Sequence, residues 1–220
     1  MKLAALLAGL LLSTAAFAQY QPLGAITFWT DGYVVTLEND TIRGQVRVGS
    51  MVNDSPMGIV VRTDDNKKIN LKGSQIKILA QKIPGYAYAT GSIPRSRQMV
   101  IFERVANPRR NNKEMLIERL TVPGGRMVLY FDASGWKSNR EITFGNFTIE
   151  TLPKDLSYIV LKTDGSTMVV KRGNFDDAHE TLFGDCAEFV KRYPAATRRD
   201  WSRFGDMVDA YNQSCFVAIN

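Results

Sequence analysis

The sequence predicts an α+β protein, an antiparallel β-rich sandwich or partly closed barrel followed by about three C-terminal helices. Three observations predict it. Short apolar runs alternate with turn residues from Ala25 to about Arg172, three stretches read strand, polar corner, strand, and after Gly173 the apolar period lengthens to three or four.

The first such stretch, Asp31 to Val48, carries Tyr33, Val34, Val35 and Leu37 before Asn39-Asp40, then Thr41, Ile42, Val46 and Val48. β-Branched residues suit a pleated, half-buried surface, and Asn and Asp tolerate the left-handed backbone of tight turns, so Asn39-Asp40 is the expected corner. Ile59 to Leu71 repeats the design around Asp65-Asn66, and Tyr158 to Val170 around Asp164-Gly165. Further strands are expected at Gln75 to Ala80, Met99 to Val105, Met115 to Val122, Met127 to Asp132 and Ile142 to Ile149. Pro84 to Pro94 and Pro108 to Asn112 read as the longest loops.

Beyond Gly173 the helical signals begin. Asn174 is placed to cap a helix with Asp176 and Asp177 in its first turn and Gly184 at its end. Asp185 opens a second helix that Pro194 stops, and Thr197 with Asp200 has capping-box spacing before the third. In that last helix Trp201, Phe204, Val208, Tyr211 and Cys215 form one apolar stripe, which needs a surface to pack on.

At the other end, Met1-Lys2, the apolar run Leu3 to Leu12 and Ala16-Phe17-Ala18 have the three parts of a secretory signal peptide. Residues 1–18 are therefore expected to be cleaved, leaving a β-rich domain over 19–172 and a helical segment over 173–220 packed on it. The run is shorter than the roughly 20 apolar residues that span a bilayer, and no later segment reaches that length, so no transmembrane span is expected after cleavage. A periplasmic or secreted location follows, with peripheral attachment to the outer membrane open. In an oxidising compartment the even pair Cys186 and Cys215 is expected to form a disulfide.

The formal net charge is +6, of which Lys2 leaves with the leader. The excess gathers in residues 93–126, where Arg95, Arg97, Arg104, Arg109, Arg110, Lys113, Arg119 and Arg126 face only Glu103, Glu114 and Glu118. Such a segment suits an anionic envelope component (lipopolysaccharide, phosphate-bearing lipid or an acidic glycan) or an envelope protein. Arg95, Arg97, Arg109, Arg110 and Lys113 are the candidate binding residues, together with Tyr86 and Tyr88, which alternate in a Gly/Pro-flanked loop. An ordinary solvated loop face accounts for the same charges. The aromatics Trp29, Tyr33, Trp136 and Phe144 read as strand packing rather than a sugar platform. Nucleic acid is not expected as a partner, since export removes the chain from it and no nucleic-acid-binding module is present.

Catalytic signals are few. His179 is the only histidine, which excludes sites built on several imidazoles; no cofactor or metal is expected. With Asp176 and Glu180 it has helical spacings that could gather around a divalent ion, but a capped first turn with a surface histidine explains the same residues. No serine lies in a nucleophile elbow. The reading is therefore an exported, non-catalytic binding or structural protein of the cell envelope; the alternative is an exported glycan or ester hydrolase using carboxylates or His179. Charged strands and a helical end argue against an outer-membrane barrel.

The strand GYVVTL, Asp40-Thr41-Ile42 with Gly44, IFER at 101–104, Asn174-Phe175, Leu182-Phe183, Asp185-Cys186 and Tyr211-Asn212 with Cys215 resemble a group of uncharacterised exported proteins of Gram-negative bacteria. Asn39 stands where that group is expected to have Gly. The resemblance implies export, a β-rich N-terminal part and a helical C-terminal part with paired cysteines. It implies no activity, and no functional residue follows from it.

Overall fold

The computed structural model describes residues 20–89, 93, 95–122, 124–135, 141–144, 147–150, 156–194 and 197–215. The expected leader and cleavage site, Pro94, Pro123 and Trp136 lie outside these residues. The strands are β1 (Thr30–Thr36), β2 (Thr41–Val52), β3 (Ser55–Arg62), β4 (Lys68–Lys72), β5 (Ile76–Lys82), β6 (Met99–Asn107), β7 (Lys113–Arg119), β8 (Met127–Phe131), β9 (Glu141–Phe144), β10 (Phe147–Glu150), β11 (Ser157–Lys162) and β12 (Thr167–Lys171). Among the described residues three α-helices follow: α1 (Phe175–Phe183), α2 (Ala187–Arg192) and α3 (Phe204–Ser214).

Ten strands join one open antiparallel sheet in the order β12-β11-β8-β7-β6-β5-β1-β2-β3-β4. The expected strand at Ile142 to Ile149 is instead two, β9 and β10, paired as a separate hairpin. From β1 to β7 the sheet curls until β3 approaches β7, enclosing Val34, Val46, Ile59, Leu79, Phe102 and Leu116. Curling in this way buries one face without a second sheet. The other half packs differently. The helices cover one face of β8, β11 and β12, where Tyr158, Phe175, Trp201 and Phe204 meet at ring-centroid distances of 5.1 to 5.7 Å. The apolar stripe of the last helical segment is thus matched to the sheet, with Trp201, Phe204, Val208, Tyr211 and Cys215 all buried. No helix among the described residues is long and apolar enough to cross a membrane.

The three hairpins share one turn. In each, an N–H bonds back to the carbonyl three residues earlier (Asn39 to Thr36, Asn66 to Thr63, Gly165 to Lys162), and the next residue closes the ladder. The third loop residue is left-handed, at φ 68° for Asn39, 63° for Asn66 and 80° for Gly165. The corners are therefore three-residue loops with a bulge rather than two-residue turns, and Asn39 supplies the conformation a Gly would have supplied. The two-residue turn lies elsewhere: Asn53 and Asp54, at φ 50° and 59°, join β2 to β3.

Two helix signals resolve differently from the sequence reading. Asn174 does not cap α1; its side chain accepts from the Lys171 N–H and donates to the Val169 carbonyl, tying α1 to β12. Asp185 is no cap either, but accepts from the Tyr211 hydroxyl at 2.6 Å. Thr197 and Asp200 make half of the expected capping box: the Asp200 carboxylate accepts from the Thr197 N–H and hydroxyl, but the Thr197 hydroxyl accepts from the Arg199 N–H instead of that of Asp200.

Residues 20–28 run as a strap over both halves. Buried Glu118 accepts the Leu23 and Gly24 N–H groups at 2.8 Å each. Buried Gln81 accepts from the Ile26 N–H at 2.9 Å and donates to the Ile26 carbonyl at 2.8 Å, replacing one rung of a strand ladder. At the strap's start the Tyr20 hydroxyl bonds Asp209 on α3, and the Tyr20 carbonyl accepts from Tyr158. Burial first, then the neighbouring Asp206, raises the Asp209 carboxyl pKa from its ordinary value, although the Tyr20 hydrogen bond opposes this.

Candidate functional site

The cations of residues 93–126 do not share one surface. Arg97, its side chain only 10% exposed, pairs with Glu118 at 2.6 Å and donates to the Gln21 carbonyl at 2.8 Å, so it anchors the strap. Arg109 reaches Asp132 at 2.6 Å and brings the β6–β7 turn against β11 through Ser157. Arg104 donates to the carbonyls of Ile76 and Gly73, Arg119 pairs with Glu103 at 2.8 Å, and Arg126 donates to the Cys215 carbonyl. Arg95, Arg110 and Lys113 remain exposed. Strand alternation and the sheet's curl separate residues that adjoin in sequence.

Tyr86 and Tyr88 lie in a 3₁₀ turn, Gly85–Tyr88, and not in an extended run. Their roles divide accordingly. Tyr88 packs against the first core and donates to the Arg97 carbonyl at 2.8 Å, whereas Tyr86 is 68% exposed with its ring 6.3 Å from that of exposed Phe28. Pro108 to Asn112 is an ordered turn: Asn107 accepts the Arg109 N–H, and Asn111 and Asn112 take left-handed φ of 52° and 57°.

Where this turn faces the β2–β3 tip there is a cleft of about 260 Å³. Its walls include Val52, Pro56, Met57, Met115 and Leu116, and Arg104, Arg110, Lys113 and Glu114 contribute its charge. A second cleft of about 200 Å³ shares Asn53, Met115 and Leu116 and reaches Leu23, Phe102 and Phe131. The tip itself is apolar and outside: Val52 is 53% exposed, Met57 43% and Met51 37%. These residues were not candidates in the sequence. The available signal was Asn53-Asp54, two residues that tolerate left-handed backbone between extended runs.

His179 is buried, not on the surface, and its ring packs 5.3 Å from Phe183. Asp176, its proposed neighbour, pairs with Arg198 at 3.4 Å. Among the described residues no group of three His, Cys, Asp or Glu side chains could hold a metal ion. In the chain Arg109, Asp132 and Ser157 the carboxylate and the hydroxyl are buried, and no imidazole is present. Its geometry holds a turn against a strand, with Ser157 donating to Asp132 at 2.7 Å.

Burial lowers the His179 pKa, against the pull of Glu180, Asp200 and a hydrogen bond with the Tyr193 backbone. The unfolded imidazole titrates near 6.5, so below that pH the unfolded chain binds more protons than the folded one. Stability should fall as pH drops through that value, and His179→Gln should flatten this part of the profile. Urea midpoints between pH 5 and 7 check it; an unchanged slope in the variant would count against the assignment.

Comparison with family models, with curated proteins and with solved structures finds no match to this chain.

Proposed function

We propose that this chain is an exported, non-catalytic protein that attaches peripherally to an anionic lipid surface of the cell envelope. The observation that carries the reading is the β2–β3 tip, where exposed Val52 and Met57 share a cleft with exposed Arg110 and Lys113, and Met51 is exposed next to Val52. Apolar side chains of this kind enter the headgroup boundary while cations beside them meet lipid phosphates. Glu114 is the one carboxylate lining the larger cleft, so the charge there favours an anion. Export is supported by the leader-like start of the chain, by the Cys186–Cys215 disulfide and by the resemblance to exported proteins of Gram-negative bacteria.

A cation near an anionic membrane contributes about 1 kcal/mol. Arg110→Ser with Lys113→Ser should therefore weaken binding to phosphatidylglycerol-containing vesicles by roughly 30-fold, and the uncharged change Val52→Asn should weaken it at high and low salt alike. Sedimentation with vesicles of graded anionic content measures both. Wild-type protein that stays in the supernatant, or variants that sediment as well as wild type, would sink the reading.

A further inference from the structure

A second cationic surface lies on the outer face of β2, β3 and β4, remote in sequence from residues 93–126. On β2, Arg43, Gln45 and Arg47 alternate with inward-facing Ile42, Val46 and Val48. On β3, Arg62 alternates with buried Val61, and on β4, Lys68 and Lys72 alternate with Ile69 and Leu71. The register sets Gln45 opposite Arg62 and Arg62 opposite Lys68. Directly opposed side chains stand about 5 Å apart and diagonal ones roughly 7–8 Å, so Arg43, Arg47, Arg62 and Lys68 share a small patch, with Lys72 farther along β4.

Two arginines of the patch are held in place. The guanidinia of Arg47 and Arg62 each lie 4.9 Å from the Trp29 ring centroid, and Arg62 also donates to Gln45. Arg43 stacks on Tyr33 at 5.4 Å. Stacking on a ring leaves the N–H edge of a guanidinium free to grip a planar oxyanion, with less side-chain entropy left to lose. Of the carboxylates nearby, Asp31 is set opposite Gln45 and lies 3.8 Å from Lys82, and Asp65 accepts from Thr63 in the β3–β4 turn.

From this array we infer a binding surface for a linear acidic polysaccharide, whose carboxylates recur along the chain at intervals the cations can match. No side chain of the patch is a large exposed apolar one, so it lacks what the β2–β3 tip offers a bilayer. Trp29 is already stacked by two guanidinia, which disfavours base stacking and hence single-stranded nucleic acid. The choice of glycan rests on the proposed export, but the surface is separate from the lipid-facing tip.

The test is retention of the full chain on immobilised polygalacturonate as sodium chloride is raised, with dextran, polyphosphate and single-stranded DNA as competitors. Wild type should bind and be released by salt. Arg43→Ser/Arg47→Ser/Arg62→Ser should lose about tenfold in affinity, allowing for solvent screening of exposed pairs. The triple Lys variant should fall between, because lysine keeps the charge but loses the planar fork. Arg110→Ser/Lys113→Ser should bind polygalacturonate as wild type does, which separates this surface from vesicle attachment. Absence of binding, equal binding by the folded triple Ser variant, or stronger competition by polyphosphate or DNA than by free polygalacturonate would overturn the inference.

Discussion

Glu118→Ala is expected to destabilise the protein by roughly 3–5 kcal/mol, the usual cost of removing one partner from a buried ion pair. Three groups lose their acceptor together: the Arg97 guanidinium at 2.6 Å and the Leu23 and Gly24 N–H groups at 2.8 Å. Arg97 is 10% exposed, so its charge would have little water to turn to. The N–H groups would add about 1–3 kcal/mol each if left wholly unpaired, but a freed strap can lift and hydrate them, which caps the total. A domain is ordinarily stable by only about 5–15 kcal/mol, so the urea midpoint should move far with little change in slope. Residues 20–28 should also become a site of proteolytic cutting before global unfolding. Arg97→Ala/Glu118→Ala should cost less than the two single changes added, because the double variant leaves no unpaired charge. A loss below about 1 kcal/mol for Glu118→Ala would refute the strap's dependence on this carboxylate.

Cys186→Ser/Cys215→Ser is expected to cost about 3–4 kcal/mol in the chain-entropy account of a crosslink. The bridge spans 29 residues, with Cα atoms 6.0 Å apart, and joins the start of α2 to the end of α3. Its removal should loosen those two ends without releasing the helices, because Phe183, Phe189 and Tyr211 pack around them at 4.6 to 5.6 Å between ring centroids. Arg126 donates to the Cys215 carbonyl and supplies a second tie. Wild-type protein in reductant should melt with the Ser/Ser variant, and unfolded, unreduced wild type should show no reactive thiol. Two reactive thiols, or equal melting with and without reductant, would exclude a bridge that contributes to stability.

Much of the architecture was legible because it is local. Alternation of apolar residues marked most of the strands, and the stripe from Trp201 to Cys215 marked a helix that needed a partner surface. Turn positions were legible to within a residue, since Asn, Asp and Gly are selected by backbone conformation; their hydrogen-bond pattern was not, because it depends on how the flanking strands twist. The Val52–Ser55 turn and its apolar flanks escaped notice because exposed Met51, Val52 and Met57 look like core residues in one dimension.

Charge was the least legible property. The sequence alone determined the strand-rich body, the helical end, the pairing of the only two cysteines and the existence of a cationic excess. Only the tertiary structure decided which cations are available: Arg97, Arg104, Arg109 and Arg119 serve internal partners, whereas Arg43, Arg47 and Arg62, scattered in sequence, gather over Trp29 and Tyr33. The physical reason is that side-chain direction follows the local period, and so can be read from neighbours. What a charge meets is set by strand register and the curl of the sheet, which bring together residues far apart along the chain.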